Sequence, residues 1–549
     1  MSASTLDSDP ILIVGGGPSG LVMAAELARR GVPCRIVDIA RGATDKSKAI
    51  GIQARTLEVF ENMGIAHEFT ARGKKVAAVN FSHDDRRLAH ITLNEMDSPF
   101  PYVLMLPQSE TERILIAHLE SLGKRVEREV KLTGFTQTGN GVTAMLSHQD
   151  GRQEEARTPW IIGCDGAHST VRHALDLPFQ GEEYAEGFQL ADVRVDWPLK
   201  DDELHVYIHD GWLLAAFPLP EGRHRLIADV PPEQAPTDVS PSLEEWQTLM
   251  DERCPVHATL SDPLWTANYR IHRRLVSKLR EGRAFLVSDA AHIHSPVGAQ
   301  GMNTGIQDAF NLAWKLALVT QGVADEALLD TYHAERYPVE QGVLIGTDLP
   351  LKVIGLHNPL AQAVRDKLLS LLAGLDVVQE RVRAAVTELA VHYPASAAVE
   401  EHPLHGGPQA GDRAPDGAVH GEDGKETHLF EILSGPEHKL LLFAGAEGAG
   451  AEGAGSGNDG LPALVPVVRE RLGERVKVHH FSDGVPRGGM GDEMAEWRDG
   501  EGSLRQRYGA QHGGVYLIRP DGYIGFRSPL AGAAERLRGY LNRVFQSAG

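Results

Sequence analysis

The chain has 549 residues, with 54 Lys and Arg against 75 Asp and Glu, a formal net charge of −21. That length accommodates about two to four domains, and that charge excludes nucleic acid and anionic membrane as default partners. Cys34, Cys164 and Cys254 show no disulfide-framework, metal or Cys-x-x-Cys spacing, which fits a reducing compartment. The opening MSASTLDSDP has no apolar signal core, and no stretch is long and apolar enough to span a bilayer, so a cytoplasmic protein is expected.

In chain order, the first predicted unit covers residues 11–38. It reads as strand ILIV, glycine turn GGGPSG, helix LVMAAELARR stopped at Gly31 with Pro33 beyond, and strand CRIVD ending on Asp38. Strand followed by helix returns within residues 155–175, as TPWIIGCDG then HSTVRHAL, and again within 284–318. Between them the texture changes. Residues 186–274 carry the alternating runs ADVRVDW, ELHVYIHD, WLLAAFPLP and HRLIADV, which predict an antiparallel sheet. In LHVYIH the alternation is strict: Leu204, Val206 and Ile208 share one face, His205, Tyr207 and His209 the other. A sheet module thus interrupts a nucleotide-binding domain. Residues 324–395 predict helices, from the apolar spacing in QAVRDKLLSLLAGL and VQERVRAAVTELAVHY. The Pro- and Gly-rich segment 402–417 reads as a linker. A smaller α/β unit follows, with strands in HKLLLFAG, RVKVHHFS and GGVYLIRPDGYIGFRS; its tandem AEGAG reads as a flexible loop.

Gly15-x-Gly17-x-x-Gly20 follows an apolar strand, opens a helix and precedes a strand ending on an acid, the context the dinucleotide fingerprint requires. Gly15 would make the tight turn, Gly17 admit a pyrophosphate, and Gly20 let helix and strand pack closely, with Pro18 and Ser19 in the same turn. Asp38 would accept hydrogen bonds from a ribose. Such a site suits NAD or FAD; the plainer reading is a tight turn without ligand. The third unit, LVSDAAHIHSPVGAQGMNTGIQDAFNLAWKL, ends its strand at Asp289 and begins its helix among glycines.

Three segments in this order resemble the group A flavoprotein aromatic hydroxylases, which share the fold of para-hydroxybenzoate hydroxylase. They are VGGGPSGL with Asp38, GCDGAHSTVR, and the Ser288–Asp289 segment with its helix; ARTLEVFENMG and QSETERILIAHL support them. The resemblance runs from residue 10 to about 340. The last unit resembles the thioredoxin-like appendage of some phenol and polyketide hydroxylases; it has no cysteine and cannot do dithiol chemistry. The implied fold is α/β: a Rossmann-like FAD-binding domain interrupted by an antiparallel substrate sheet, plus the thioredoxin-like domain. The implied boundaries are 1–180 for the first part of the FAD domain, with a small insertion near 75–105, 181–275 for the sheet, 276–400 for the second part with helices, and 401–549 for the last unit.

The resemblance also implies roles. Asp289 would bind the ribityl chain of FAD; Pro296, Gly298, Gly301, Met302 and Asn303 would pass backbone along the flavin's pyrimidine edge, at a helix N-terminus that favours negative charge. Gln108 and Arg113 would touch the flavin or its phosphates, and Asp165 with Gly166 would bridge FAD and the nicotinamide nucleotide. This chain departs from the family at three places. Ser288 stands for the usual Gly, Lys48 for an Arg, which keeps charge but loses the planar fork, and Ala299 for a common Gly.

The implied chemistry is reduction of non-covalent FAD by NADPH or NADH, reaction with O2 to a flavin C4a-hydroperoxide, and hydroxylation of a small phenolic or polyketide-like aromatic. A base near the substrate hydroxyl would help, and His205, Tyr207 and His209 are candidates; a solvated sheet face is the plainer account. Trp212 and Phe217, with Pro296 and Trp265, are candidates for the substrate pocket, and core packing accounts for them equally well. His292 and His294 lack a visible carboxylate or cysteine cluster, so no metal is expected. A Baeyer–Villiger oxygenase and a flavin-binding scaffold or sensor are the alternatives. A halogenase would need Trp-x-Trp-x-Ile, absent here. A plain NAD dehydrogenase leaves residues 286–316 unexplained. A monomer or homodimer is expected.

Overall fold

The computed structural model describes residues 9–45, 47–236, 239–293, 300–354, 379–380, 383, 387–445, 461–484 and 494–546. QAVRDKLLSLLAGL, most of VQERVRAAVTEL, the AEGAG repeat, His294, Pro296, Gly298 and Ala299 lie outside them.

The apolar runs ILIV, IIG and AFL carry no polar alternation, because they are interior strands covered on both faces. They form the middle of a six-stranded sheet, in the order Arg280–Glu281, Ala284–Leu286, Ile161–Gly163, Ile11–Val14, Cys34–Asp38, Val126–Arg128. All neighbours are parallel except the first pair. Three adjacent parallel strands therefore end together, and their following loops share one edge, the ligand-binding edge of open α/β sheets. Backbone hydrogen bonds tie the strand ends there: Gly15 N–H donates to Val37 O, Cys164 N–H to Val14 O, and Val287 N–H to Gly163 O.

A second sheet of eight strands stands beside it. Its order is His292–Ile293, Thr259–Val276, Phe179–Asp196, Arg223–Val230, Trp212–Pro218, Glu203–His209, Ala78–His83, Arg86–Thr92. The last two strands come from the stretch read as a small insertion. One face of this sheet packs under the helix Leu243–Arg253, with Trp246, Met250 and Cys254 against Tyr207, Leu214 and Ala228. The other packs Leu204, Val206, Leu213 and Ala215 against Ile50, Val103 and Met105.

The helix Gln300–Thr320 belongs to two cores. Ile306, Phe310, Ala313 and Ala317 join the parallel-sheet core, while Trp314 and Leu318 join the core of the C-terminal unit. That explains why it is apolar around most of its circumference. The C-terminal unit is the thioredoxin-like α/β layer: strands Ile524–Ser528, Gly514–Ile518, His438–Phe443 and Val476–Ser482 at its centre, with helices Leu464–Leu472 and Ala533–Val544 packed on it. Its hairpin turn at Pro520–Gly522 reaches into the rest of the protein. Asn62 donates to Pro520 O, and Trp314 Nε1 donates to Asp521 at 3.0 Å.

Candidate cofactor and substrate cleft

The glycine turn is shaped as its spacing demands. Gly15 has φ +109°, and a Cβ there would lie 2.1 Å from Cys164 O; a Cβ on Gly20 would lie 2.0 Å from Gly15 O. Gly17 is different: a Cβ would meet nothing within 4 Å. So two glycines are required by neighbouring backbone, and one fronts open space, as a phosphate cradle needs. Pro18 starts the helix Pro18–Arg29, where its missing N–H costs nothing, and Ser19 is buried in the first turn. Asp38 ends its strand and accepts from the amides of Gly16 and Ala40, with Arg128 Nη1 at 3.6 Å. Nothing local in the sequence marks Arg128, an edge-strand arginine that returns to this turn. Ile39, next in the chain, stands 66% exposed.

In the second loop, Asp165 accepts from Ser169 Oγ and from the amides of Thr170 and Val171 at 2.7 and 3.2 Å, stapling the short helix Thr170–Ala174. Burial lifts its carboxyl, against those hydrogen bonds.

In the third loop, Asp289 keeps solvent access, although protein packs densely around its carboxyl. Lost water raises its carboxyl above the usual range, opposed by His292 and Lys48. Ser288 before it has φ +61°, the left-handed region that a Gly at this position would adopt freely. Ser288→Gly is expected to raise apo-protein stability by about 1 kcal/mol; equal or lower melting temperature would show that the serine hydroxyl outweighs the strain. The helix that follows opens at Gln300, and a Cβ on Gly301 would meet nothing within 4 Å. Met302 packs on the core. Asn303 is buried, its Oδ1 accepting from Gln53 N–H at 3.0 Å and its Nδ2 donating to Gly51 O at 2.9 Å, so it clamps residues 51–53 to the helix.

Lys48 is exposed in the segment just before this clamp. Gln108 holds the same segment, through its Oε1 and the amide of Ala49 at 3.2 Å and its own amide and Ala49 O at 2.9 Å. Arg113 lies one turn on but faces solvent and pairs with Glu110 at 2.6 Å.

Strand register decides which sheet face meets this edge. Arg225 Nη1 donates to Lys48 O at 2.9 Å, so the face bearing Arg225 looks onto the Lys48 segment. Directly opposed partners put Phe217, Arg225, Asp192 and Trp265 in one row and Phe188, Asp229 and Tyr269 in another, all on that face. Arg225 and Asp192 form a buried bidentate pair at 2.7 and 2.6 Å, and the guanidinium lies 5.4 Å from the Trp265 ring centre. The Tyr269 hydroxyl is buried without a hydrogen-bond partner among the described residues.

His205, Tyr207, His209 and Trp212 fall on the opposite face by the same register. His205 and Tyr207 are 8% and 4% exposed, and Trp197 and Cys254 pack there. His209 pairs with Asp84 at the sheet rim. Arg253 lies over the Trp212 ring. His205 and Tyr207 are therefore packed beneath the helix and His209 is part-exposed at the rim, all on the face opposite Arg225, and the geometry argues against the three as substrate-facing groups. Alternation separates two faces; it does not say which one a helix covers. Phe217 is on the cleft side, with Trp265.

His292 does meet carboxylates: Asp308 and Glu340, with one ligand atom from each of the three within 4.8 Å of the others. They lie 16 and 48 residues downstream, on two helices, where sequence spacing could not reveal them. Arg336 Nε already donates to Asp308 Oδ1 at 2.7 Å, so the cluster reads as an ion-pair network rather than a metal site. Burial raises the Glu340 carboxyl to about 8; burial lowers His292, but Glu340 and Asp308 lift it to about 9.

A glycine turn, a stapled Asp-Gly loop and an acid-bearing loop stand at three adjacent strand ends, beside the sheet face that carries Phe217, Arg225 and Trp265. Residues 9–347 match the family model described as FAD binding domain, and residues 407–548 that described as aromatic-ring hydroxylase, C-terminal. The chain belongs to this family of FAD-dependent aromatic-ring monooxygenases. It is 35% identical to 6-methylpretetramide 4-monooxygenase of Streptomyces rimosus over 96% of this chain and 92% of that protein. It is 32% identical to pentachlorophenol 4-monooxygenase of Sphingobium chlorophenolicum, over 95% and 94%. The solved anhydrotetracycline hydroxylase OxyS of Streptomyces rimosus superposes with TM-score 0.73 at 28% identity, covering 98% of this chain and 99% of that one. Among the described residues no helix is long and apolar enough to cross a membrane.

Proposed function

We propose that this chain hydroxylates a phenolic or polyketide-type aromatic, taking electrons from NAD(P)H and one oxygen atom from O2. Hydride acceptance from NAD(P)H and activation of O2 are the chemistry that bound FAD supplies. The observation that carries the reading is the meeting of three loops on one sheet edge, linked through Arg225 and Lys48 to a sheet face bearing Phe217, Trp265 and Tyr269.

The residues fit that cofactor. The turn Gly15, Gly17, Pro18, Ser19 and Gly20 would hold the pyrophosphate, Asp38 would accept from the adenosine ribose, and Asp289 would accept from the ribityl hydroxyls. Lys48 and Gln108 would flank the flavin, the amides of Gly301, Met302 and Asn303 would meet its pyrimidine edge, and Asp165 would hold the second loop in place; Pro296, assigned to the same edge by the family pattern, lies outside the described residues. Phe217, Trp265 and Tyr269 form the substrate side. The relatives' names support the substrate class: they are a 6-methylpretetramide 4-monooxygenase and a pentachlorophenol 4-monooxygenase.

The test is NAD(P)H oxidation by the purified protein with a panel of monocyclic and fused-ring phenols, following product and peroxide together. One compound is expected to accelerate oxidation and yield hydroxylated product without matching peroxide. Flavin-bound protein whose oxidation rate no aromatic alters would sink the hydroxylase reading in favour of a scaffold, and an inserted ring oxygen would identify a Baeyer–Villiger enzyme.

A further inference from the structure

We propose that Asp308 is a positioning residue for the cofactor: its carboxylate fixes the loop 288–292 and so sets the aim of Asp289. The inference rests on Asp289 being the ribityl-binding acid. Asp308 Oδ2 accepts from both ends of that loop, the Ser288 amide at 3.3 Å and His292 Nε2 at 2.8 Å. Its other oxygen accepts from Arg336 Nε at 2.7 Å, from the helix Ala327–Ile354. All of Asp308, His292 and Arg336 are at most 0% exposed. A carboxylate held on both oxygens cannot rotate away, and the helix Gln300–Thr320 carries it as one rigid body with the Gly301 amide end.

The rest of the loop is held otherwise. Ala290 O accepts from Arg172 Nη1 at 3.0 Å, and Ala291 O from the Val276 amide at 2.9 Å. Upstream, Val287 is paired to Gly163. The turn bearing Asp289 spans the gap between these anchors, and its left-handed Ser288 directs an amide at Asp308. A Cβ on Gly305 would come 2.2 Å from Ser288 Oγ, so the helix is also trimmed to let this turn approach. Charge agrees with the geometry. Arg336 and His292 outweigh burial and hold the Asp308 carboxyl below its usual range, as an acceptor that stays ionised.

The experiment compares Asp308→Asn with wild type by titrating apo protein with FAD and, separately, with ADP, which reports only on the glycine-turn half of the site. The FAD Kd is expected to rise about tenfold or more, since a charge-assisted hydrogen bond is lost, with the ADP Kd unchanged. A general structural defect would weaken both together, and that result overturns the inference, as does unchanged FAD affinity. If Asp308→Asn does not fold, His292→Gln removes one arm of the hub and must show the same FAD-selective loss. Asp289→Ala run in parallel separates the two readings. Unchanged FAD affinity there refutes the assignment of Asp289, whereas weakened affinity there with normal binding by Asp308→Asn refutes the positioning role alone.

Discussion

Asp289→Ala is expected to purify without flavin, while melting near the wild-type apo temperature. A carboxylate accepting from even one ribityl hydroxyl contributes about 1.5–3 kcal/mol, or about 10- to 100-fold in Kd, and two oxygens in a confined cleft contribute more. Folding should tolerate the change, because the side chain keeps solvent access and its crowded surroundings already disfavour its charge. The pH dependence has a definite sign. Binding needs the ionised form, and burial raises the carboxyl above its usual range, so FAD affinity falls as pH drops, earlier in the descent than for an ordinary aspartate. Asp289→Asn should flatten that dependence and bind between the two. Fluorescence titration of the apo proteins across pH measures all of this; full flavin occupancy in the alanine variant would remove Asp289 from the site.

Much of this site is written locally. The strand, glycine turn and helix at residues 11–29 are signalled by adjacent residues, because steric need and phosphate access act over single turns. The same holds for a strand stopping at an acid before a glycine-rich helix start. What was illegible depends on distant partners. LHVYIH announces two faces, but the cover on one of them comes from Trp246 and Cys254, some 40 residues on, and the cue to the cleft face is one bond from Arg225 to the Lys48 carbonyl, 177 residues away. Asp308 looks like one acid in an ordinary core helix until His292, Ser288 and Arg336 are folded around it. The apolar face Ile306, Phe310, Ala313, Ala317 was readable as core; that Trp314 and Leu318 on the same helix serve a second core was not, since the second core is supplied by strands more than 100 residues later.

That second core leads to the other large effect: Arg519→Met is expected to destabilise the whole chain by about 3–5 kcal/mol, the cost of removing one partner from a buried ion pair. Arg519 donates to both Glu335 oxygens at 2.7 and 2.8 Å and, through Nε, to Asp521 at 3.0 Å. Lys315 Nζ lies 2.8 Å from Glu335, and Asn311 and Trp314 complete the ring of donors. Two cations meet two carboxylates, none more than 2% exposed. Burial alone would raise the Glu335 carboxyl; Arg519 and Lys315 reverse this and hold it well below the usual range. Burial lowers Lys315 to about 8 despite Glu335, and its single ammonium lacks the planar fork by which Arg519 reaches both carboxylates. Without Arg519, Glu335 keeps Lys315 as its cation, while Asp521 is left with the neutral donors Asn311 and Trp314. The network also crosses between units: Glu335, Lys315 and Trp314 belong to the helices behind the cofactor loop, Arg519 and Asp521 to the C-terminal hairpin. Denaturation of Arg519→Met, Glu335→Gln and the double variant gives the coupling energy directly. A large coupling, with loss of a single cooperative transition in Arg519→Met, would show that the thioredoxin-like unit is folded as part of the flavin domain; two additive, small effects would show a surface appendage whose charges happen to be buried.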